Sequence, residues 1–186
     1  MPRQAHQRKG PNLLSLFFLV LGLVVGAVHV YLDKRPRTKG RIAQIFLQWF
    51  LVVTVGLVSV VFFFSHTVFA DTTAASIGWP AGNPFQSEVA VANLTIGTLG
   101  ILCYWIQGNF WTATVVAFSV QWLGAAVVHI RDIVVAANYA PNNAGMTLYL
   151  DILMPVILIT LLAYYHYVNR HEHERIRSRG PMGQVE

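Results

Sequence analysis

Five apolar stretches, each roughly 20 residues or longer, constrain the fold of this chain more than any other feature. They cover residues 13–32, 42–70, 84–106, 110–137 and 148–168. A helix needs roughly 20 apolar residues to cross the hydrocarbon core of a bilayer, which is about 30 Å thick. With 55% hydrophobic and only 11% charged residues, the 186-residue chain is also far less polar than a soluble domain. The sequence therefore predicts an all-α fold, an integral membrane bundle of five transmembrane helices.

The segments outside these stretches predict the domain organisation and the topology. Residues 1–11 are predicted to be a flexible N-terminal tail, 12–168 a transmembrane domain and 169–186 a basic cytoplasmic tail. The loop at 33–41 carries five Lys and Arg residues, and such residues concentrate on the cytoplasmic side of membranes. We therefore expect a multi-pass protein of the cell membrane with a cytoplasmic C-terminus. The loops around Trp79 and Asn142 are then expected outside.

The net charge of +5 does not indicate a nucleic-acid partner. The basic residues flank apolar stretches, where they act as topology signals and contact anionic lipid head groups. The predicted partners are the lipid bilayer and either another membrane protein or a second copy of the chain.

The loop between the second and third stretches is rich in Gly, Pro, Asn and Trp. Asn83 is a good N-cap, Pro84 suits the first helical position, and Gln86 stands at the capping-box position. These signals predict a helix start that places Glu88 on the second turn. Trp79, between two glycines, is predicted to anchor the loop on the bundle together with Pro84.

Four ionisable residues lie at predicted helix ends on the same side of the membrane: His66, Glu88, His129 and Asp151. Nitrogen and carboxylate ligands suit iron, zinc, copper or manganese, and helix bundles build metal sites from facing helices. We therefore consider a metal site in an outer-leaflet polar pocket. Further residues predicted for this pocket are Gln121, Asp132, Arg131 and Asn93.

Two other interpretations of these residues stay open. The acidic groups lie in first helical turns, where the helix dipole favours them, and the histidines can hydrogen-bond across helices, so a purely structural role has equal weight. Alternatively, His66 with His129 and His29 with His166 form two pairs at opposite leaflets, an arrangement that would suit two b-type haems. The sequence contains no ExxH or HExxH spacing.

The chain resembles a widespread family of small prokaryotic integral membrane proteins of unknown function. The matching features are His66, the run ASIGWPAGNPFQSE at 75–88, ANL at 92–94, GAAVVH at 124–129, and NYAPNNAG with LYLDILMP within 138–155. The resemblance extends over about residues 42–165. It implies a membrane fold and no particular activity.

Three functions follow from these features. The favoured one is a non-catalytic accessory or assembly component of a membrane complex, or a homo-oligomer, because the chain is small and carries the close-packing glycines Gly22, Gly26, Gly97 and Gly100. The second is a metal- or haem-dependent redox protein or enzyme using His66, Glu88, His129 and Asp151. The third is a small oligomeric transporter or proton-coupled channel, in which Glu88 and Asp132 take up protons.

Overall fold

The structure, a computed structural model, describes residues 13–178 except the side chains of His173 and Ile176. The predicted N-terminal tail, residues 1–11, lies outside this range. The described part contains six helices and no strand: α1 (Leu14–Leu32), α2 (Lys39–Thr67), α3 (Ala70–Ile77), α4 (Phe85–Leu102), α5 (Asn109–Ala136) and α6 (Met146–Ser178). All of them except α3 are long and apolar enough to cross a membrane. The predicted fold class is confirmed.

Helix α2 is the centre of the bundle and contains a π-helical segment, Phe50–Leu57. This segment approaches α4 so closely that a Cβ at Gly100 would lie 2.5 Å from the Gly56 backbone nitrogen. A Cβ at Gly97 would likewise lie 3.1 Å from the Gly56 carbonyl oxygen. The two helices can therefore pack at this distance only because glycine occupies these positions.

Helix α1 lies at the periphery, against α2. Its buried residues are Ser15, Gly22 and Gly26, and the two glycines face side chains of α2. A Cβ at Gly22 would lie 2.7 Å from Thr54 Oγ1, and one at Gly26 would lie 2.8 Å from the ring of Phe46. The glycine pattern of α1 is thus used for packing within the chain.

The apolar core lies between α2, α4, α5 and α6. It is built from aromatic and aliphatic side chains that include Leu51, Val55, Trp111, Phe118, Met154 and Leu158. The indole N–H of Trp111, which is fully buried, donates to the carbonyl oxygen of Cys103 at 2.8 Å. This bond joins the start of α5 to the end of α4, so these two helices are held together next to their connecting turn.

The short helix α3 was not predicted from the sequence. It folds back on the end of α2, where the Thr73 hydroxyl donates to the Ser65 carbonyl oxygen at 2.7 Å. It ends at Gly78, whose φ of +83° is left-handed, and the Trp79 N–H bonds back to the Ala74 carbonyl oxygen at 2.8 Å. This Schellman-type ending needs glycine at its left-handed position, and it fixes where the loop around Trp79 begins.

The opposite end of the bundle gathers the loop at 33–41 and the C-terminal part of α6. Arg41 Nε lies 2.6 Å from Asp33 Oδ2, and this hydrogen bond to the guanidinium lowers the pKa of Asp33. The contact therefore stabilises the fold above the ordinary Asp pKa and is lost as the pH falls through the lowered one. Glu172 accepts from the Gly40 N–H at 3.1 Å and from the Thr38 hydroxyl at 3.3 Å. The two basic segments thus lie on one side, while the choice of the cytoplasm for that side stays a prediction.

Candidate functional site

A cavity of about 360 Å³ lies between α2, α3, α4, α5 and α6, beneath the loops around Trp79 and Asn142. Its apolar wall includes Phe62, Ile77, Phe85 and Trp122, and its polar lining includes His66, Asn93, Gln121, His129, Asn142 and Asp151. Ligand pockets in proteins have volumes of about 300–1,000 Å³ and combine apolar walls with a few convergent polar groups. The cavity has the size and the chemistry of such a pocket.

A buried histidine and a buried acid face each other on the cavity wall. His129 Nε2 lies 3.5 Å from Asp151 Oδ2, and both residues are 6% exposed. This distance is that of an ion pair and is longer than an ordinary hydrogen bond. The pair connects α5 to the first turns of α6.

Asn143 determines the orientation of the His129 ring. Its amide nitrogen donates to the Asn138 carbonyl oxygen at 2.8 Å and to the His129 carbonyl oxygen at 3.4 Å. Its Oδ1, 2.7 Å from His129 Nδ1, must then be the acceptor, so the imidazole carries its proton on Nδ1. Asn143 therefore fixes the ring in the orientation in which Nε2 points towards Asp151.

Trp79 covers the cavity from the loop side. Its indole N–H donates to Asp132 Oδ2 at 2.8 Å, its ring lies nearly parallel to that of His129, and Phe85 packs edge-on against it at 5.6 Å between centroids. These contacts connect the loop to α4 and α5. Pro84 lies just before α4, where Asn83 Oδ1 accepts from the Phe85 N–H at 3.0 Å.

The loop around Asn142 is hydrogen-bonded to the end of α3, directly before the loop around Trp79. The Asn138 amide donates to the Ile77 carbonyl oxygen at 2.8 Å, and the Asn142 amide donates to Ser76 Oγ at 3.0 Å. Two buried atoms of this region, Asn142 Oδ1 and Thr147 Oγ1, have no partner within the described chain. Buried polar atoms nearly always have a partner, so these two are exceptions close to the cavity.

His66 takes part in the site through a residue that the sequence assigned elsewhere. Its Nδ1 lies 2.5 Å from Gln86 Oε1, and Gln86 is buried at 3% exposure. The capping-box spacing suggested that Gln86 would turn back to Asn83. Because the side chain instead crosses to α2, Gln86 is a site residue that the sequence analysis missed.

A hydrogen bond between α4 and α5 forms the floor of the cavity. Gln121 Nε2 donates to Asn93 Oδ1 at 3.2 Å, and Asn93 Nδ2 donates to the Val89 carbonyl oxygen at 2.9 Å. Both residues were predicted for a polar pocket, and both line the cavity.

The structure does not bring all of the predicted residues together. His66, His129 and Asp151 line the cavity, whereas Glu88 and Arg131 are exposed and are not part of its wall. Asp132 lies beside the cavity and is bonded to Trp79. Within residues 13–178, no group of three or more His, Cys, Asp or Glu residues is placed to hold one metal ion.

The second histidine pair that was considered for haem, His29 and His166, does not line the cavity. Each of these histidines instead lies at hydrogen-bonding distance from a side chain of another helix. His29 Nδ1 accepts from the Trp49 indole N–H at 2.8 Å, and His166 Nε2 lies 3.3 Å from Thr112 Oγ1. Each of these histidines has the cross-helix role that the structural interpretation expects.

Comparison with known proteins identifies a family. The pattern of a family of unknown function, DUF6790, covers residues 12–171. The chain belongs to the DUF6790 family. The resemblance to a family of unknown function is thereby confirmed, while the individual motif correspondences and the prokaryotic distribution of the family stay predictions. No curated protein and no solved structure matches the chain significantly. Membership of DUF6790 therefore assigns no activity, and the function has to be argued from the cavity.

Proposed function

We propose that this DUF6790 protein is a membrane protein that binds a small molecule in the cavity beneath the Trp79 loop. The supporting observation is that two residues lining the cavity, Asn142 and Thr147, each have a buried side-chain oxygen without a partner in the described chain. Leaving such an atom unpaired costs about 1–3 kcal/mol. A ligand that bonds to both atoms would recover this free energy.

The His129–Asp151 pair would provide the directional contact to that ligand. Both residues are buried, the His129 ring is held by Asn143, and Asp151 lies 3.5 Å from that ring. A ligand hydroxyl or amine can donate to the carboxylate of Asp151. The aromatic wall of Phe62, Trp79 and Trp122 would enclose the apolar part of the same molecule.

Native mass spectrometry of the full-length protein in a mild detergent tests this proposal. We expect the wild type to retain a non-covalently bound small molecule, and Asp151→Asn or Thr147→Val to lower its occupancy at least tenfold. Glu88→Gln is the matched control, because Glu88 is exposed and outside the cavity wall. The proposal is wrong if the wild type carries no bound molecule, or if Glu88→Gln lowers the occupancy as much as Asp151→Asn does.

The favoured prediction from the sequence, an accessory subunit or a homo-oligomer, has lost one of its two supporting observations, the close-packing glycines. Gly22, Gly26, Gly97 and Gly100 all face other residues of the same chain within 3.1 Å of an added Cβ. A role in a larger complex stays a prediction that now needs a different surface.

The two other predicted functions stay predictions, and fewer of the residues assigned to them line the cavity. A metal- or haem-dependent activity would rest on His66, His129 and Asp151, since Glu88 does not reach the cavity. Proton-coupled transport would rest on the His129–Asp151 pair, because Asp132 is bonded to the Trp79 indole.

A further inference from the structure

Helices α4 and α5 diverge from their connecting turn, and the cavity occupies the space between them. Next to the turn, Trp111 and Thr114 of α5 bond to Cys103 at the end of α4. The last hydrogen bond between the two helices is the one from Gln121 to Asn93. Beyond it, the facing residues of both helices line the cavity.

Several of the facing residues in this gap are small, and the gap reaches the surface of the bundle. Ala92 of α4 and Gly124, Ala125 and Val128 of α5 line it, and all except Ala125 are exposed. A Cβ added at Gly124 would have no atom within 4 Å. Because α4 and α5 are both long and apolar enough to cross a membrane, an opening between them along this stretch faces lipid.

The cavity thus has a polar end and an apolar side opening. The polar end is formed by His129, Asp151, Asn142 and Thr147 beneath the loops, and the opening is bordered by Ala92 and Gly124. We propose that the ligand is a single-chain amphiphile with an uncharged hydroxyl head, which enters sideways from the bilayer and leaves its chain between α4 and α5. This inference rests on the proposed function and specifies its ligand class and its access route.

The chemistry of the polar end selects the head group. Asn142 Oδ1 and the Asp151 carboxyl accept hydrogen bonds, which a hydroxyl can donate. An ionised carboxylate head has no hydrogen to donate to Asn142 Oδ1 or to Asp151, whereas a hydroxyl has one. Within the described residues, no Lys or Arg side chain lines the cavity, so a phosphate head would have no cationic partner there.

Tryptophan fluorescence with a brominated probe tests the proposal, because bromine quenches an indole that it contacts, and Trp79 and Trp122 line the cavity. The full-length protein is placed in phosphatidylcholine nanodiscs and titrated with 11-bromoundecan-1-ol. We expect saturable quenching in the wild type. In Gly124→Phe, whose new ring fills the gap, the apparent affinity should fall at least tenfold.

The matched control is Val127→Phe, because Val127 is 64% exposed on α5 and does not line the cavity. This variant should bind the probe as the wild type does. Ala92→Phe blocks the same gap from α4 and replaces Gly124→Phe if that variant loses its helical circular dichroism. Unchanged saturable quenching in the folded gap variant would overturn the side access route.

Two further probes separate this inference from the proposed function. 11-Bromoundecanoic acid should bind at least tenfold more weakly than the alcohol, and equal binding contradicts the uncharged head.

3-Bromopropan-1-ol carries the same head without the chain. If it quenches saturably in both the wild type and Gly124→Phe while the long alcohol does not, the amphiphile is wrong and the cavity still binds a small molecule. If neither alcohol quenches saturably in the wild type, the amphiphile is wrong, and the mass spectrum decides the proposed function separately.

Discussion

A single asparagine, Asn143, determines the orientation of the His129 ring and places a proton on its Nδ1. Asn143 is fully buried, and its amide has one arrangement that satisfies both carbonyl oxygens around it, those of His129 and Asn138. That arrangement leaves only an oxygen for His129 Nδ1, so Nδ1 carries a proton and Nε2 points to Asp151. The chemistry available in the cavity therefore depends on a residue outside its wall.

Replacing Asn143 with alanine should destabilise the protein strongly. The change leaves the His129 Nδ1–H and two carbonyl oxygens without their partner, and unpaired buried groups cost about 1–3 kcal/mol. We expect thermal unfolding in detergent, followed by circular dichroism, to show a free energy of unfolding lower by about that amount. Asn109→Ala, on the exposed first turn of α5, should change it by less than about 0.5 kcal/mol. Equal effects of the two substitutions would contradict the role assigned to Asn143.

The sequence predicted several cavity residues because helical spacing places them on common faces. Gln121 and His129 are separated by eight residues, or about two helical turns, so they lie on roughly the same face of α5. Both line the cavity. Gln86 was missed because its capping position gave a local explanation, whereas its partner His66 is on another helix. Asn142 and Asn143 belong to a motif that carried the family resemblance, but no spacing rule connects them to Ser76 or His129. Local patterns predict faces, and contacts between distant segments need the fold.

At the scale of helices, glycine has two opposite roles in this bundle. Gly100 of α4 is enclosed by the π-helical segment of α2, with Gly56 and Leu51 backbone atoms within 2.8 Å of an added Cβ. Gly124 of α5 has open space at the same position. The first glycine permits contact between two helices, and the second leaves a gap between two others.

Alanine substitutions should separate these two roles. Gly100→Ala overpacks the contact between α2 and α4 and should lower the free energy of unfolding by about 1–3 kcal/mol. Gly124→Ala meets no atom and should raise it by up to about 1 kcal/mol, because alanine favours a helix over glycine. Chemical unfolding in detergent, followed by circular dichroism, measures both. A Gly100→Ala variant as stable as Gly124→Ala would show that the close approach of α2 and α4 is not required.

The long helices were predictable from apolar length, while other elements were not. Helix α3 has no membrane-like run, and it forms because Thr73 and Ser65 bond across a break after α2. Spacing identified the glycines as packing residues, but spacing does not distinguish a partner within the chain from one in another chain. The structure resolves this for Gly22, Gly26, Gly97 and Gly100.

At the scale of the whole molecule, the two ends of the bundle differ in charge. The loop at 33–41 and the end of α6 gather basic residues at one end, and the loops above the cavity lie at the other. The excess of positive charge predicts that the first end is cytoplasmic. The cavity would then be near the outer surface.

Cysteine labelling tests this orientation, because the only native cysteine, Cys103, is fully buried. In a Cys103→Ala background, a cysteine at the exposed position of Ala81 should react with a membrane-impermeant maleimide on intact cells. One at the exposed position of Ser178 should react only after the cells are permeabilised. The reverse pattern would show that the charge rule fails for this protein, and labelling of both sites on intact cells would show that they share one side.

The hydrogen bond between Gln121 and Asn93 lies between the cavity and the apolar core of the bundle. Beneath it lies a packed core that includes Phe118, Trp111 and Met154, all fully buried. The cavity is therefore closed towards this core. A bound molecule would leave through the opening by which it entered. If the five long helices cross a membrane as predicted, this core would separate the two aqueous faces, and the proposed ligand would bind without opening a path for ions across the bilayer.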